Sequence, residues 1–144
     1  MTAPTPLREV KLVLPMAPEM ELVASQTASA LAGWVGMSTD RIDEVRMAVV
    51  EACINAFEHS RAAERQVDIT FLVWGGGRPE RLEIRVHDRG VGFLPGEVEE
   101  PKIEQKLRGE KKRGWGLKII QGLMDDVEIL SGSRGTTVVM SKSR

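Results

Sequence analysis

Apolar and polar residues alternate from Glu9 to Leu14, with Val10, Leu12 and Leu14 on one side and Glu9, Lys11 and Val13 on the other. A period of two marks a half-buried strand, and Pro15 ends it. A helical period follows from Pro18 to Gly33 through Leu22, Ala30 and Leu31, with a break expected at Gly36. Ser38, Thr39 and Asp40 offer N-cap oxygens, and Asp43 and Glu44 put acids into the next turn. From there Ile42, Val45, Val49, Ala52 and Ala56 trace the apolar stripe of a long helix running through His59. Alternation returns over Gln66–Trp74, where Val67, Ile69, Phe71 and Val73 share a face. Gly75-Gly76-Gly77 and Pro79 form a turn, and Arg81–Asp88 alternates once more, so an antiparallel hairpin is expected. Leu94–Arg113 is charged and has no apolar period, and it is the segment expected to be mobile. Leu117, Ile120 and Leu123 restore a helical spacing over Gly114–Met124. Val127–Leu130, a Ser-Gly loop and Thr136–Met140 close the chain as a second hairpin. The order is β-α-α-β-β-loop-α-β-β, which predicts an α+β two-layer sandwich, a mixed β-sheet with helices on one face.

Composition narrows the classes. The chain has 144 residues, enough for one domain with a real core. Residues 1–8 read as a polar, proline-bearing tail and 9–144 as the domain. Twenty Lys and Arg against 21 Asp and Glu give a net charge of −1, so direct nucleic-acid binding is not expected. One cysteine, Cys53, excludes an internal disulfide, and with only two histidines a zinc finger is excluded too. No apolar run is long enough to span a membrane and no signal-peptide pattern opens the chain, so no membrane contact and a cytoplasmic location are expected.

Four segments carry candidate chemistry. Glu51, Asn55 and His59 are four apart and fall on one helical stripe. An amide oxygen is a hard ligand suited to Mg²⁺, and a carboxylate one turn away can accept a proton from an attacking hydroxyl. A solvated helix face has the same spacing. Asp88 is in phase with Leu82, Ile84 and Val86, so its carboxylate is directed into the apolar layer. Such a group needs a hydrogen-bond partner, for which an adenine amino group is one candidate. Gly90 and Gly92 follow it and permit close backbone approach, as they would in an ordinary strand-ending turn. Between Lys106 and Arg113 stand five basic residues and one acid, and Gly114-Trp115-Gly116 then opens a helix. Cations, glycines and a helix N-terminus suit an anion, although the spacing is neither that of a Walker loop nor of a dinucleotide fingerprint. The last segment, Gly135-Thr136-Thr137-Val138, puts a hydroxyl beside the sheet's inner face, where threonine is also a good strand residue.

The order and spacing of these segments resemble the ATP-binding domain of the GHKL superfamily, with its Bergerat-type fold. The closer resemblance is to the anti-sigma factor serine/threonine kinases of bacterial partner-switching systems. Arg46–His59 is similar to the N-box, Asp88–Phe93 to the first glycine box, Gly114–Ile120 with Leu123-Met124-Asp125 to the second, and Gly135–Val138 completes the set. The resemblance spans about Val10 to Lys142. It implies ATP and Mg²⁺ as cofactors, with Asn55 coordinating the metal and Glu51 the general base toward a substrate serine hydroxyl. It implies that Asp88 recognises the adenine amino group with support from Thr136. Gly90 and Gly92 would shape the adenine and ribose wall, and Gly114 and Gly116 would expose amides to phosphate. Lys112 or Arg113 would neutralise the γ-phosphate, and 94–113 would be an ATP lid. The partners implied are an antagonist protein of the STAS type, a sigma factor and a second copy of the chain as a homodimer. A nucleotide-gated binding or adaptor protein without significant kinase activity would carry the same motifs. Two features depart from the family pattern: Ser60 and Arg61 follow His59 where a small residue and then an aromatic are usual, and Trp115 is large for its place between the glycines.

Overall fold

In a computed structural model of the chain, residues 4–60, 63–89 and 116–144 are described. The elements are β1 (Arg8–Pro15), α1 (Met20–Val35), α2 (Thr39–His59), β2 (Gln66–Trp74), β3 (Arg81–Asp88), α3 (116–123), β4 (Asp126–Gly132) and β5 (Gly135–Ser143). Each expected element is present, in the expected order. The segment expected to be mobile, 94–113, lies outside the described residues.

The long helices begin and end where their sequence chemistry changes. Ser38 caps α2, its hydroxyl accepting from the Arg41 amide at 3.3 Å. α1 runs two residues past Gly33 and stops at Gly36, which adopts a left-handed φ of 91° and donates its amide to the last turn. Gly33 does not end the helix because its backbone stays helical and a glycine costs only about 1 kcal/mol there.

The strands form one sheet in the order β1-β2-β3-β5-β4. All four described pairings are antiparallel, where a mixed sheet was expected. The cause is in the connections. Two helices, not one, join β1 to β2, so the chain re-enters the sheet at the end it left, with Gln66 opposite Pro15. β3 and β4 do run the same way, but β5 folds back from β4 and occupies the slot between them. No parallel neighbours remain.

Register sorts the side chains into two faces. Leu12, Ile69, Val86, Val138 and Ile129 lie in one row across all five strands. Val10, Phe71, Ile84, Met140 and Val127 form the next. These rows meet Ala24, Ala28 and Ala32 of α1 and Val45, Ala48, Val49 and Ala52 of α2 in the single core. The small residues let both helices lie close to the sheet. The opposite face is mainly polar, with Lys11, Thr70, Arg85, Val139 and Glu128 in one row, so it needs no second helical layer. Glu83 on that face is held between Arg85 at 2.7 Å and Arg81 at 3.6 Å.

Cys53 is buried in this core, on the side of α2 that meets α1. Burial, with a smaller contribution from Glu21, pushes its thiol up from 9.0 to about 12. In the unfolded chain the thiol ionises near its ordinary value, so between those two pH values the folded state holds a proton that the unfolded state has lost. The stabilisation is therefore complete below pH 9.0 and is lost as pH rises toward 12. Denaturant melts are expected to show stability falling over that alkaline range, with a shallower fall in Cys53→Ala. Equal slopes in the two proteins would contradict this reading of the core.

Candidate functional site

The inner layer of the sheet ends in a polar group. Asp88 is the last residue of β3, stands in register between Val67 of β2 and Thr136 of β5, and is only 6% exposed. The strand phase that carries Leu82, Ile84 and Val86 into the core carries this carboxylate in with them. It borders a cavity of about 70 Å³ whose walls come from four elements. α2 supplies Ala52, Asn55 and Ala56; β3 supplies Val86 and Asp88; β5 supplies Thr136 and Val138; Ile129 of β4 and Leu117 of α3 complete the lining. Its walls carry a carboxylate, an amide and a hydroxyl among otherwise aliphatic side chains. That combination suits a flat apolar ring with hydrogen-bonding groups on one edge.

Arg89 follows Asp88 and points the other way, as alternation requires. Its guanidinium forks onto Asp68 at 2.6 and 2.8 Å and reaches Glu64 at 3.4 Å. The hydrogen bonds to Asp68 hold the guanidinium more firmly charged than usual. The fork ties the end of β3 to β2 immediately beside Asp88.

α3 opens against the same stretch of α2. A Cβ built on Gly116 would lie 3.3 Å from Glu51 Oε1 and 3.8 Å from Asn55 Cγ. Glycine lets the first turn of α3 approach those two side chains at a distance that a larger residue would contest. Asn55 is thus shared: it lines the cavity with Asp88 and also lies against Gly116. Glu51 is one turn earlier on α2, half-buried.

Among the sequence-derived candidates, Glu51, Asn55, Asp88, Gly116 and Thr136 come together here. Gly90, Gly92, Lys112, Arg113 and Gly114 lie outside the described residues. His59, on the same stripe of α2, is its last residue and is half-buried. The cavity also uses residues to which the sequence reading gave no individual role in the site, namely Ala52, Ala56, Val86, Leu117, Ile129 and Val138. The two alanines carried a usable signal. They stand one turn apart on α2 and flank Asn55, so they leave room for a ring where larger side chains would fill it.

No group of three or more His, Cys, Asp or Glu converges among the described residues, so they form no protein cage for a metal ion. Mg²⁺ does not need one: it keeps water and substrate oxygens and takes one or two protein ligands. The amide of Asn55 and the carboxylate of Glu51, both against Gly116, are oxygen donors of the right kind.

A buried acid at a sheet end, an amide and a carboxylate on the adjoining helix and Gly116 of α3 packed against them suit a nucleotide-binding α+β domain. The comparisons refine that class. The family model described as the histidine kinase-like ATPase domain matches residues 15–142, and the chain belongs to that family. It is 31% identical over 138 residues to the serine-protein kinase RsbW of Bacillus cereus strain Q1, covering 93% of this chain and 84% of that protein. It is 32% identical over 145 residues to the serine-protein kinase RsbW of Bacillus pumilus strain SAFR-032, covering 92% and 84%. The RsbU and RsbW domains of Rv1364c from Mycobacterium tuberculosis share its fold, with a TM-score of 0.68 and 20% identity over 96% of this chain. The chain spans 34% of that larger protein.

The approach of Gly116 gives a direct check. Gly116→Ala is expected to leave the fold and melting temperature near wild type, since only a side-chain oxygen must give way. It is expected to weaken ADP binding by about threefold to tenfold, because Glu51 and the first turn of α3 no longer share one arrangement. Calorimetry with ADP measures this, and unchanged affinity would contradict the assigned approach.

Proposed function

We propose that this chain is an ATP-dependent serine/threonine protein kinase and anti-sigma-type regulator of a partner-switching system, phosphorylating an antagonist protein. The observation that supports it best is the sharing of Asn55 between the Asp88–Thr136 cavity and the Gly116 end of α3. A partly apolar hollow with polar side chains on its walls and the Gly116 stretch of α3 are adjacent, as a nucleoside triphosphate requires. Membership of an ATPase family supplies the cofactor class, and the serine-protein kinases at about 30% identity over nearly the whole chain supply the reaction class.

In this reading the Asp88 carboxylate accepts a hydrogen bond from the adenine amino group, and Thr136 contributes its hydroxyl on the same edge. Val86, Val138 and Leu117 hold the ring and exclude water from it. Gly90 and Gly92 line the base and ribose, and the Gly114 and Gly116 amides receive phosphate oxygens. Lys112 or Arg113 neutralises the terminal phosphate. Asn55 offers its amide oxygen to Mg²⁺, which when bound withdraws charge from the phosphates. Glu51 accepts the proton of the attacking serine or threonine hydroxyl. Most of the rate then comes from holding the hydroxyl in line and from the charges already aimed at the transferred group.

The partners in this reading are a STAS-type antagonist as phosphoacceptor and a sigma factor, engaged by a homodimer in the cytoplasm. No helix among the described residues is long and apolar enough to cross a membrane, which agrees with that setting.

Two substitutions separate recognition from chemistry. Asp88→Ala is expected to weaken ATP and ADP binding by about tenfold to a hundredfold, as loss of a charge-assisted hydrogen bond in a closed site does. Calorimetry reads this directly, and undiminished affinity would sink the adenine assignment. Glu51→Ala is expected to bind ATP normally yet transfer phosphate more slowly by about two orders of magnitude. Labelled ATP with a cognate antagonist measures it. A wild-type chain that binds ATP but never labels the antagonist would instead be a nucleotide-gated binding protein.

A further inference from the structure

A second charged cluster lies at the opposite end of α2 from Asn55. Lys142, near the end of β5, is on the helix-facing side of the sheet, in register with Leu82, and its side chain is 4% exposed. A buried ammonium is costly unless its protons are taken up. Here Nζ donates to the Glu44 carboxylate of α2 at 3.1 Å and to the carbonyl of Leu123, the last residue of α3. Asp125 stands 3.9 Å away, accepts from the Ser143 amide at 2.7 Å and pairs with Arg41 at 3.2 Å. The cluster therefore joins the first turns of α2, the end of α3 and the end of β5, and its two cations balance its two carboxylates.

Its position relative to the site follows from helix geometry. Glu44, Glu51 and Asn55 are seven and four residues apart, which at about 100° per residue sets all three within about 40° on one stripe of α2. α3 runs along that stripe: Gly116 at its start lies against Glu51 and Asn55, and Leu123 at its end is held beside Glu44. The Leu123 carbonyl is one of the groups that a helix end leaves without an internal partner, and a cation there also opposes the dipole favourably. α3 is thus clamped at both ends on one face of a rigid helix. If Lys142 releases the far end, α3 can slide or roll, and Gly116 moves with it.

We propose that Lys142 is a positioning residue for the phosphate end of the nucleotide site, acting through α3 with Glu44 as its support. This rests on the nucleotide reading above and adds a determinant remote from the ligand. The prediction is selective. Adenosine depends on the Asp88 end of the cavity, whereas ADP also depends on the start of α3. Lys142→Met is expected to weaken ADP binding by about threefold to thirtyfold, and adenosine binding by a clearly smaller factor. Glu44→Gln, which keeps a hydrogen-bonding side chain, is expected to show the same selectivity at smaller size. Calorimetry on the full chain with ADP and with adenosine, at a temperature where each variant is folded, makes the measurement. Hydrogen exchange of the 116–123 amides is expected to quicken in both variants while β2 and β3 stay protected.

Unchanged ADP affinity in a folded Lys142→Met protein would overturn the proposal. So would equal losses for ADP and adenosine, because general destabilisation does not distinguish them. If Lys142→Met fails to fold, Glu44→Gln decides: wild-type ADP affinity and wild-type exchange in α3 overturn the proposal. A wild-type chain that binds neither ligand would overturn the nucleotide reading and this proposal with it. That outcome is recognisable because it appears before any substitution is made.

Discussion

A charge placed on the apolar side of a sheet must be partnered, and this chain places two there among its described residues. Asp88 and Lys142 both face the helices, at opposite ends of the inner layer. The cost of burying an unpartnered ion is far larger than any single packing gain, so both positions constrain everything packed around them. At the Lys142 end the partners are internal: a carboxylate from α2 and a carbonyl from α3. At the Asp88 end the surroundings open into a cavity with a hydroxyl and an amide on its walls. One end of the layer is a structural lock and the other borders a cavity.

Between them α2 serves as the rigid reference. It is 21 residues long, capped by Ser38, and fixed in the core by Val45, Val49 and Ala52. The face that meets α3 carries Glu44, Glu51 and Asn55, so the polar groups of the lock and of the site are held on a single element. Side chains mounted this way need little reorganisation when a ligand arrives, which is the condition for electrostatic assistance to a transferring phosphoryl group. Gly116 matters for the same reason. Its missing side chain brings the α3 backbone up to carboxylate and amide together.

Fold alone does not decide between a kinase and a nucleotide-dependent binding protein. The M. tuberculosis domains share the architecture at 20% identity, which establishes only how widely this layer arrangement tolerates sequence change. What separates the two activities is whether Glu51 reaches the hydroxyl of a protein partner, a property of the site and of the partner's docking.

Much of this was legible in the residues. Alternation located all five strands, and its phase turned Asp88 inward; a spacing of four set Glu51 and Asn55 on one stripe; Ser38 and Gly36 marked helix ends. These are local regularities, with a period that one stretch of chain imposes on itself. Non-local outcomes were not readable that way. The insertion of β5 between β3 and β4, which makes the sheet antiparallel, depends on which edges remain free once the other strands have paired. The use of Ala52, Ala56 and Ile129 as cavity walls depends on what stands opposite them. Lys142 stands in phase with Val138 and Met140, so alternation directs it inward, but only the arrival of Glu44 and Leu123 from distant parts of the chain makes its burial affordable. Periodicity fixed which way each side chain faces; tertiary packing alone decided what it meets, because that depends on groups far apart in the chain.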